Sequence, residues 1–301
     1  MIKINPKLAV TIGVIFVSFS AILIKLSEAS PLAIAFYRML FSTLLVLPIM
    51  VYKKSDEIKQ IKRKTLSLSI ISGVFLALHF ASWITSIEYT SIASSTVLVT
   101  IHPIFIVFGG YLFLKEKVSL RIILSILIAL LGSIIISLGD YSAGGNATYG
   151  NILAVLGALF VSFYMMIGKV ARKNLSATTY TFIVYLSCTI ALFILALISN
   201  VPIYPYSSKE WLIFIALAVF PTILGHSIFN WSLEYVKTTF LSTAILGEPV
   251  FASISAFIIF NEVPSSWNII GGLTVIIGIL LFVRNDRTIA AQNDIVDDIA
   301  S

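Results

Sequence analysis

Residues Glu88–Gly132 read EYTSIASSTVLVTIHPIFIVFGGYLFLKEKVSLRIILSILIALLG, and residues Glu234–Gly278 repeat this pattern without a gap, 146 positions later, as EYVKTTFLSTAILGEPVFASISAFIIFNEVPSSWNIIGGLTVIIG. The identical pairs include proline, glutamate and glycine, which are costly inside apolar segments and are therefore more informative than matched aliphatic residues. Membrane proteins that bind solutes at mid-depth are often built from two related halves. The repeat therefore predicts a pore or carrier whose site lies on the axis that relates the halves.

The composition indicates a surface that faces lipid. The chain has 301 residues, of which 58% are hydrophobic and 11% are charged, whereas a soluble domain carries roughly 25% charged residues. The single cysteine, Cys188, excludes an internal disulfide and a cysteine metal cluster, and we expect neither a metal nor a cofactor. The net charge of +6 comes mostly from lysines and arginines in short loops, a pattern that indicates the lipid bilayer as a partner and not nucleic acid.

Ten apolar segments are long enough to cross a bilayer, which takes about 17–25 residues each. These segments are 8–26, 32–52, 66–87, 91–114, 120–138, 150–169, 178–199, 210–231, 239–260 and 266–284. The sequence thus predicts an all-α integral membrane protein with ten transmembrane helices. The first segment is not expected to be a removed signal peptide, because its motif FVSF at Phe16–Phe19 recurs inside the chain at Phe160–Phe163.

The basic residues predict an orientation. With the N-terminus in the cytoplasm, the inner loops collect most lysines and arginines, including the cluster Lys53–Lys64, and the outer loops hold essentially Lys209 alone. This bias predicts a multi-pass protein of the cytoplasmic membrane with both termini inside. Five helices in each half then predict two inverted repeats, residues 8–139 and 150–284. We expect the polar tail, 285–301, to be cytoplasmic and disordered.

Polar side chains at membrane depth need a partner or a water-filled cavity. His79 and Trp83 are four residues apart and share a helix face, and His226 and Asn230 repeat this spacing in the equivalent helix. We predict that a central cavity binds the substrate through the following residues: Tyr37, Arg38, His79, Trp83, Thr100, His226, Asn230 and Trp231. The alternative is that the histidines are neutral and bonded to neighbouring hydroxyls or carbonyls. The paired faces favour the cavity.

Arg38 lies about two turns into the second segment and has two interpretations. Its guanidinium can attract an anionic group such as a carboxylate. Alternatively, it reaches the outer headgroups or pairs with Glu28.

Two prolines with polar neighbours mark predicted hinges. His102 precedes Pro103, and Glu248 precedes Pro249, 146 positions later. Each proline removes a backbone hydrogen bond and should break or kink its helix at a matched depth. Glu248 has three candidate roles: a protonated acid, a proton carrier in a coupled transport cycle, or a hydrogen-bond partner of the freed backbone. His102, its repeat equivalent, could carry a proton from the other half.

Small residues form ridges on the fifth and tenth segments, around Gly132 and Gly278. The prediction is that these two helices pack together within the chain, with a contact between two chains as the alternative, so we expect a monomer or a weak homodimer. The sequence lacks the HExxH, P-loop and dinucleotide-binding motifs. It therefore predicts no catalytic residues and no enzyme activity.

The chain resembles the drug/metabolite transporter superfamily, and within it the EamA-type carriers with two EamA repeats. The resemblance rests on five motifs: Phe36-Tyr37-Arg38, Pro103-Ile104-Phe105, Phe113-Leu114-Lys115-Glu116-Lys117, Glu248-Pro249-Val250 and Phe260-Asn261-Glu262. It covers about residues 8–284. The resemblance implies a ten-helix basket with a cavity between helices 1–4 and 6–9, and with helices 5 and 10 packed at one side.

The resemblance also implies export or exchange of small metabolites. We therefore predict a secondary transporter that moves small organic metabolites, foremost amino acids or their relatives, by alternating access. Alternative substrates are nucleotide-derived, vitamin-like or lipid-linked compounds, and a membrane enzyme or receptor is the alternative from another class.

Overall fold

A computed structural model describes residues 5–114, 120–143, 146–232, 244–245 and 247–300. This described part of the chain folds into helices, turns and short connections, without a strand. Within these described residues, seven helices are long and apolar enough to cross a membrane, and three shorter apolar helices bring the total to ten. The protein is therefore an all-α integral membrane protein with ten transmembrane helices, as the sequence predicts.

The helices are numbered α1–α10, so that each helix of the first half has its equivalent five numbers later. In the first half they are α1 (Pro6–Leu26), α2 (Pro31–Lys59), α3 (Arg63–Tyr89), α4 in two pieces (Ile92–Val99 and His102–Leu114) and α5 (Leu120–Ala143). In the second half they are α6 (Ala147–Ala171), α7 (Ala177–Ile198), α8 in three continuous pieces (Ser208–Leu217, Ala218–His226 and Ser227–Ser232), α9 (Gly247–Phe260) and α10 (Ser266–Ala300).

Equivalent helices begin with equivalent caps. Ser30 precedes α2 and accepts a hydrogen bond from the backbone N–H of Ala33 at 3.4 Å. Ser176, 146 positions later, precedes α7 and accepts from the N–H of Thr179 at 3.3 Å. Serine suits this position because its side-chain oxygen satisfies an N–H that has no partner in the first turn. The same local chemistry thus starts the second helix of each half.

Where two helices from different halves make extensive contact, their equivalents in the opposite halves are also in contact. Helix α3 packs on α6, and its equivalent α8 packs on α1; α4 packs on α6, and α9 packs on α1. The pairs α2–α7, α4–α9 and α5–α10 each join equivalent helices. Packing of this kind is expected when two related halves are arranged around a pseudo-two-fold axis.

Side chains on the pairs of equivalent helices meet at symmetric positions. The hydroxyls of Thr43 on α2 and Thr189 on α7, 146 residues apart, lie 3.2 Å from each other. On α5 and α10, Gly132 lies against Val275, and Gly278 lies against the backbone of Ala129. The glycines allow the two helix backbones to approach closely. The predicted packing of these helices within the chain is therefore what the structure shows.

A carboxylate joins the two halves at each end of the bundle. Glu57, near the end of α2, accepts hydrogen bonds from Ser176 N and Oγ at 2.5 and 2.6 Å. Glu210, at the start of α8, accepts from Ser27 Oγ and from the backbone N–H of Glu28, the latter at 3.0 Å. Glu57 lies in the last turn of the second helix of its half and Glu210 lies after the second helix of its half, and each binds the turn before the second helix of the other half.

The structure continues helix α10 through the tail for which the sequence predicts disorder. Helix α10 continues from the apolar segment to Ala300. The residues after Arg284 include neither proline nor glycine, so no residue in the tail interrupts the helical backbone.

Candidate functional site

The guanidinium of Arg38 is fully buried, with 0% of the residue exposed. Its Nε donates to Thr222 Oγ1 on α8 and its Nη1 donates to Ser20 Oγ on α1, both at 2.9 Å. The group also lies over the ring of Phe80 on α3, 4.4 Å from its centroid. The remaining nitrogen, Nη2, is buried without a hydrogen-bond partner. Arg38 therefore neither reaches the headgroups nor pairs with Glu28, whose carboxylate binds Lys209 instead at 3.1 Å.

A wide stretch of α8 places Thr222 beside Arg38. From Ala218 to His226 the helix has π geometry and contains Pro221. Proline has no N–H to donate into the regular helical ladder, and the N–H of Ser227 reaches back five residues to the carbonyl of Thr222. The Thr222 hydroxyl donates to Leu217 O at 2.9 Å, which leaves its oxygen as an acceptor for Arg38. Such π turns occur frequently at functional sites.

His79 and Trp83 share one face of α3, as their spacing predicts. Their rings stack with centroids 6.0 Å apart and an interplanar angle of 6°. His79 Nδ1 lies 2.9 Å from the carbonyl oxygen of Gly157 on α6. Because a carbonyl only accepts, Nδ1 is the donor, and a neutral ring then leaves Nε2 as an acceptor. Trp83 is 3% exposed, and its indole Nε1 has no hydrogen-bond partner.

Helix α4 breaks at Thr100 and Ile101, just before Pro103, and its second piece begins at His102. The Thr100 hydroxyl donates back to Val97 O at 2.7 Å. His102 Nδ1 lies 3.4 Å from Val99 O, and the His102 carbonyl accepts from Ser162 Oγ on α6 at 2.8 Å. The polar groups near the break are therefore held by the same helix and by α6.

Glu248 and Pro249 lie in the first described turn of α9, and residues 233–243 and 246 lie outside the described part. The Glu248 side chain is partly buried and within electrostatic range of Arg38. No described carboxylate, however, comes within the 4.0 Å of Arg38 that defines an ion pair. Arg38 and Glu248 thus interact electrostatically without forming an ion pair.

The structure brings five of the predicted site residues together. Electrostatic interactions connect Arg38 with His79, His226 and Glu248, and connect His79 with His102 and His226. These five residues, from α2, α3, α4, α8 and α9, are called the central cluster below. Helices of both halves contribute to it. A concentration of ionisable groups of this kind inside an apolar bundle is expensive and indicates a functional site.

Other predicted site residues lie apart or cannot be placed. Tyr37 stacks on Phe214 with centroids 4.8 Å apart and an interplanar angle of 11°, and its hydroxyl donates to Ile203 O at 2.8 Å. Its described contacts therefore involve the connection before α8 and the first turns of α8. The side chains of Asn230 and Trp231 lie outside the described part of the structure.

The sequence did not single out three residues that hold the cluster. Ser20 and Thr222 orient Arg38, and Gly157 supplies the acceptor for His79. Pro221 lies in the middle of an apolar segment, and a proline there indicates that the regular helix is interrupted, as it is in the π-helical stretch of α8. Where the structure describes side chains, no group of three His, Cys, Asp or Glu residues is arranged to hold a metal ion.

Comparison with known proteins assigns a family to this architecture. A family model described as the EamA-like transporter family matches residues 7–138 and again 148–284. An uncharacterized transporter of Archaeoglobus fulgidus is 25% identical over 281 residues, which cover 92% of this chain and 95% of the relative. The pseudopaline exporter CntI of Pseudomonas aeruginosa is 23% identical over 95% of this chain and 98% of its own. A solved crystal structure with 15% identity aligns with a TM-score of 0.64 over 94% of this chain and 98% of its own, and shows the fold alone.

Proposed function

The chain belongs to the EamA-like transporter family, and on this premise we propose that it is a secondary carrier of small organic metabolites. It moves them across the cytoplasmic membrane by alternating access, without catalysing a reaction. Amino acids or their relatives are the proposed substrates, and export or exchange is the proposed direction. The similarity to an exporter of pseudopaline supports the direction.

The central cluster is the observation that carries this proposal. It joins both halves at the broken α4 and at the wide stretch of α8. Carriers with inverted repeats bind their substrates near mid-depth, where helices are interrupted and polar groups become accessible. Trp83 adds a stacking surface beside His79. A site with aromatic rings, hydrogen-bonding groups and opposite charges suits a small polar or amphipathic solute.

Reconstitution into liposomes tests the carrier proposal. We expect purified protein to catalyse counterflow of a labelled amino acid drawn from a mixture of the common ones. His79→Ala and His226→Ala should each lower the flux at least about tenfold, because each removes a polar group of the site. Thr274→Val, on α10 and outside the central cluster, removes a hydroxyl that bonds only within its own helix at 2.8 Å; it is the matched control and should transport normally. Chemical conversion of the solute without flux would favour an enzyme instead.

The orientation is part of the proposal. Both termini lie in the cytoplasm, and the acid Glu57 lies at the inner end while Glu210 lies at the outer end. Single cysteines at Lys59 and Asn146, in a background without Cys188, should react with an impermeant maleimide from opposite sides of intact cells, and Asn146 should be labelled from outside. Labelling of both positions from one side would refute the proposed orientation.

The contacts between α5 and α10 support a monomer or a weak homodimer. The glycine ridges of α5 and α10 face each other within one chain, so they are not free to form a close contact with a second copy. We propose that proton coupling, if the carrier uses it, acts through Glu248, which interacts electrostatically with Arg38.

A further inference from the structure

Arg38 is a buried cation with an open donor. Two of its three nitrogens, Nε and Nη1, are fixed by Thr222 and Ser20, while Nη2 has no partner although no part of the residue is exposed. A charged donor that is buried without a partner destabilises the folded state, because it has lost its hydrogen bonds to water. A side chain that only tied helices together would have no need for this open nitrogen.

The fixed nitrogens also set the orientation of the open one. The guanidinium is planar and rigid. Hydrogen bonds to α1 and α8, together with the ring of Phe80 on α3, therefore hold Nη2 in one direction. A donor held in this way suits a ligand group with strong acceptors, because little conformational freedom is lost when it binds.

The charges around Arg38 indicate which chemical group of a ligand would bind to Nη2. The central cluster holds one fixed cation, Arg38, and the described lysines lie near the helix ends and loops, away from it. A multiply charged phosphate would meet a single guanidinium and the acid Glu248, which lies within electrostatic range. A carboxylate carries one charge and matches the donors of a guanidinium. A cationic group on the same solute would in turn face Glu248.

We propose that Arg38, through Nη2, binds the carboxylate of the transported solute, and that Glu248 favours solutes which also carry a cationic group. This inference rests on the proposed carrier function and deepens it. It makes Arg38 a specificity-determining residue. The position equivalent to Arg38, 146 residues later, holds the buried Val184. Only the first half therefore supplies a cation for the anionic group.

Matched ligands test the inference with the full-length protein in detergent. The probes are the common L-amino acids, each compared with its methyl ester and with its decarboxylated amine, and the readout is the thermal unfolding temperature. We expect at least one acid to stabilise the wild type, while its ester and amine bind roughly tenfold more weakly or worse, as the loss of a charge-assisted hydrogen bond predicts. Equal stabilisation by the ester, stabilisation by amines alone, or no stabilisation by any acid would each overturn the inference.

Two variants separate ligand binding from a structural role. Arg38→Gln should lose the preference for the acid over its ester, whereas Lys25→Gln, which removes a cation near the end of α1 that lies 3.9 Å from Glu262, should keep it. If Arg38→Gln does not fold, Arg38→Lys retains the charge without the planar fork, and we expect it to bind the acid at least about tenfold more weakly. Unchanged acid preference in a folded Arg38 variant contradicts the inference.

Transport distinguishes the two proposals. If the reconstituted protein transports amines or esters but no acids, the carboxylate site is contradicted and the carrier function is supported. Liposomes with no flux of any solute, from protein that still binds acids, contradict the carrier function and leave the site standing.

Discussion

Replacing Glu57 with glutamine should lower the stability of the whole carrier, because this acid joins its two halves. The carboxylate accepts hydrogen bonds from Ser176 N at 2.5 Å, Ser176 Oγ at 2.6 Å and Thr179 Oγ1 at 2.8 Å. Ser176 is also the N-cap of α7, where the helix dipole favours a negative charge. Glutamine keeps one acceptor oxygen but turns an NH₂ group toward donors, so part of this arrangement must be lost.

The geometry sets the size of the effect. Hydrogen bonds to charged groups contribute about 1.5–3 kcal/mol each, and a charge at a helix N-terminus about 0.3–1 kcal/mol. The Glu57 side chain is 25% exposed, so water compensates for part of the loss. We therefore expect the free energy of unfolding to fall by roughly 2 kcal/mol. At about 2–4 °C per kcal/mol, this corresponds to a thermal midpoint roughly 4–8 °C lower.

Intrinsic tryptophan fluorescence of the protein in detergent measures this midpoint. The matched control is Asp56→Asn, one residue earlier, where the acid is 86% exposed and lies 3.7 Å from Lys59. Exposed ion pairs contribute little, so this variant should unfold near the wild-type temperature. If the two variants unfold at the same temperature, Glu57 does not stabilise the contact between the halves.

The pH dependence of stability provides an independent check. Burial raises the pKa of the Glu57 carboxyl, but hydrogen bonds from Ser176 and Thr179 and the nearby Lys54 outweigh this effect, so the pKa lies below its usual value of 4.5. A lowered folded pKa gives stability that is present above 4.5 and is lost as the pH falls through the folded pKa. The difference in midpoint between wild type and Glu57→Gln should therefore shrink below pH 4.5. A difference that stays constant into that range would contradict the ionic contribution.

Three further changes test the fold and the site. Gly278→Ala places a methyl group 2.5 Å from backbone on α5 and should destabilise the protein by about 1–3 kcal/mol. In the control, Gly272→Ala, the nearest atom to the added methyl group is 3.7 Å away, so this variant should be neutral or stabilise α10. The thermal midpoints of the two variants test this difference. Glu210→Gln should lower the midpoint as Glu57→Gln does. The double variant should show the sum, because the acids lie at opposite ends of the bundle and share no partner. If transport is coupled to protons, Glu248→Gln should abolish uphill transport driven by a pH gradient in liposomes, while downhill counterflow persists with a weaker preference for solutes that carry a cationic group. Uphill transport by this variant rules out a role of Glu248 in coupling.

The sequence predicted the spans well because the bilayer imposes a length on apolar segments. It predicted the helix ends less well, since that rule bounds the apolar part and not the helix. Helix α2 continues to Lys59, beyond the predicted end at residue 52, through charged residues that favour helix and include no glycine or proline. The helix that continues to Ala300 is not evident from the sequence either, because the residues after Arg287 include no long apolar run of the kind that predicts the spans.

The sequence predicts the residues of the central cluster, but it does not predict the hydrogen bonds that hold them. Polar residues such as His79 and Arg38 stand out in apolar helices because their burial is costly. Their partners do not: Ser20 and Thr222 are common residue types on two other helices, 18 and 184 positions from Arg38. Only the packed structure shows that Arg38 is held from both sides with one nitrogen unpaired. It therefore excludes the headgroup interpretation, while anion binding stays a proposal.

The symmetry of this protein lies in its scaffold, while its chemistry is asymmetric. The serine caps, the threonine pair of α2 and α7, and the glycine contacts of α5 and α10 occupy positions related by the repeat. In contrast, Arg38 has Val184 at its equivalent position, and Glu248 has His102. A symmetric scaffold can close at either end with similar contacts, so neither side of the membrane need be strongly favoured. If the central cluster binds the substrate as proposed, its asymmetry would hold the substrate in one orientation in both states, so that the same residues bind it on one side and release it on the other.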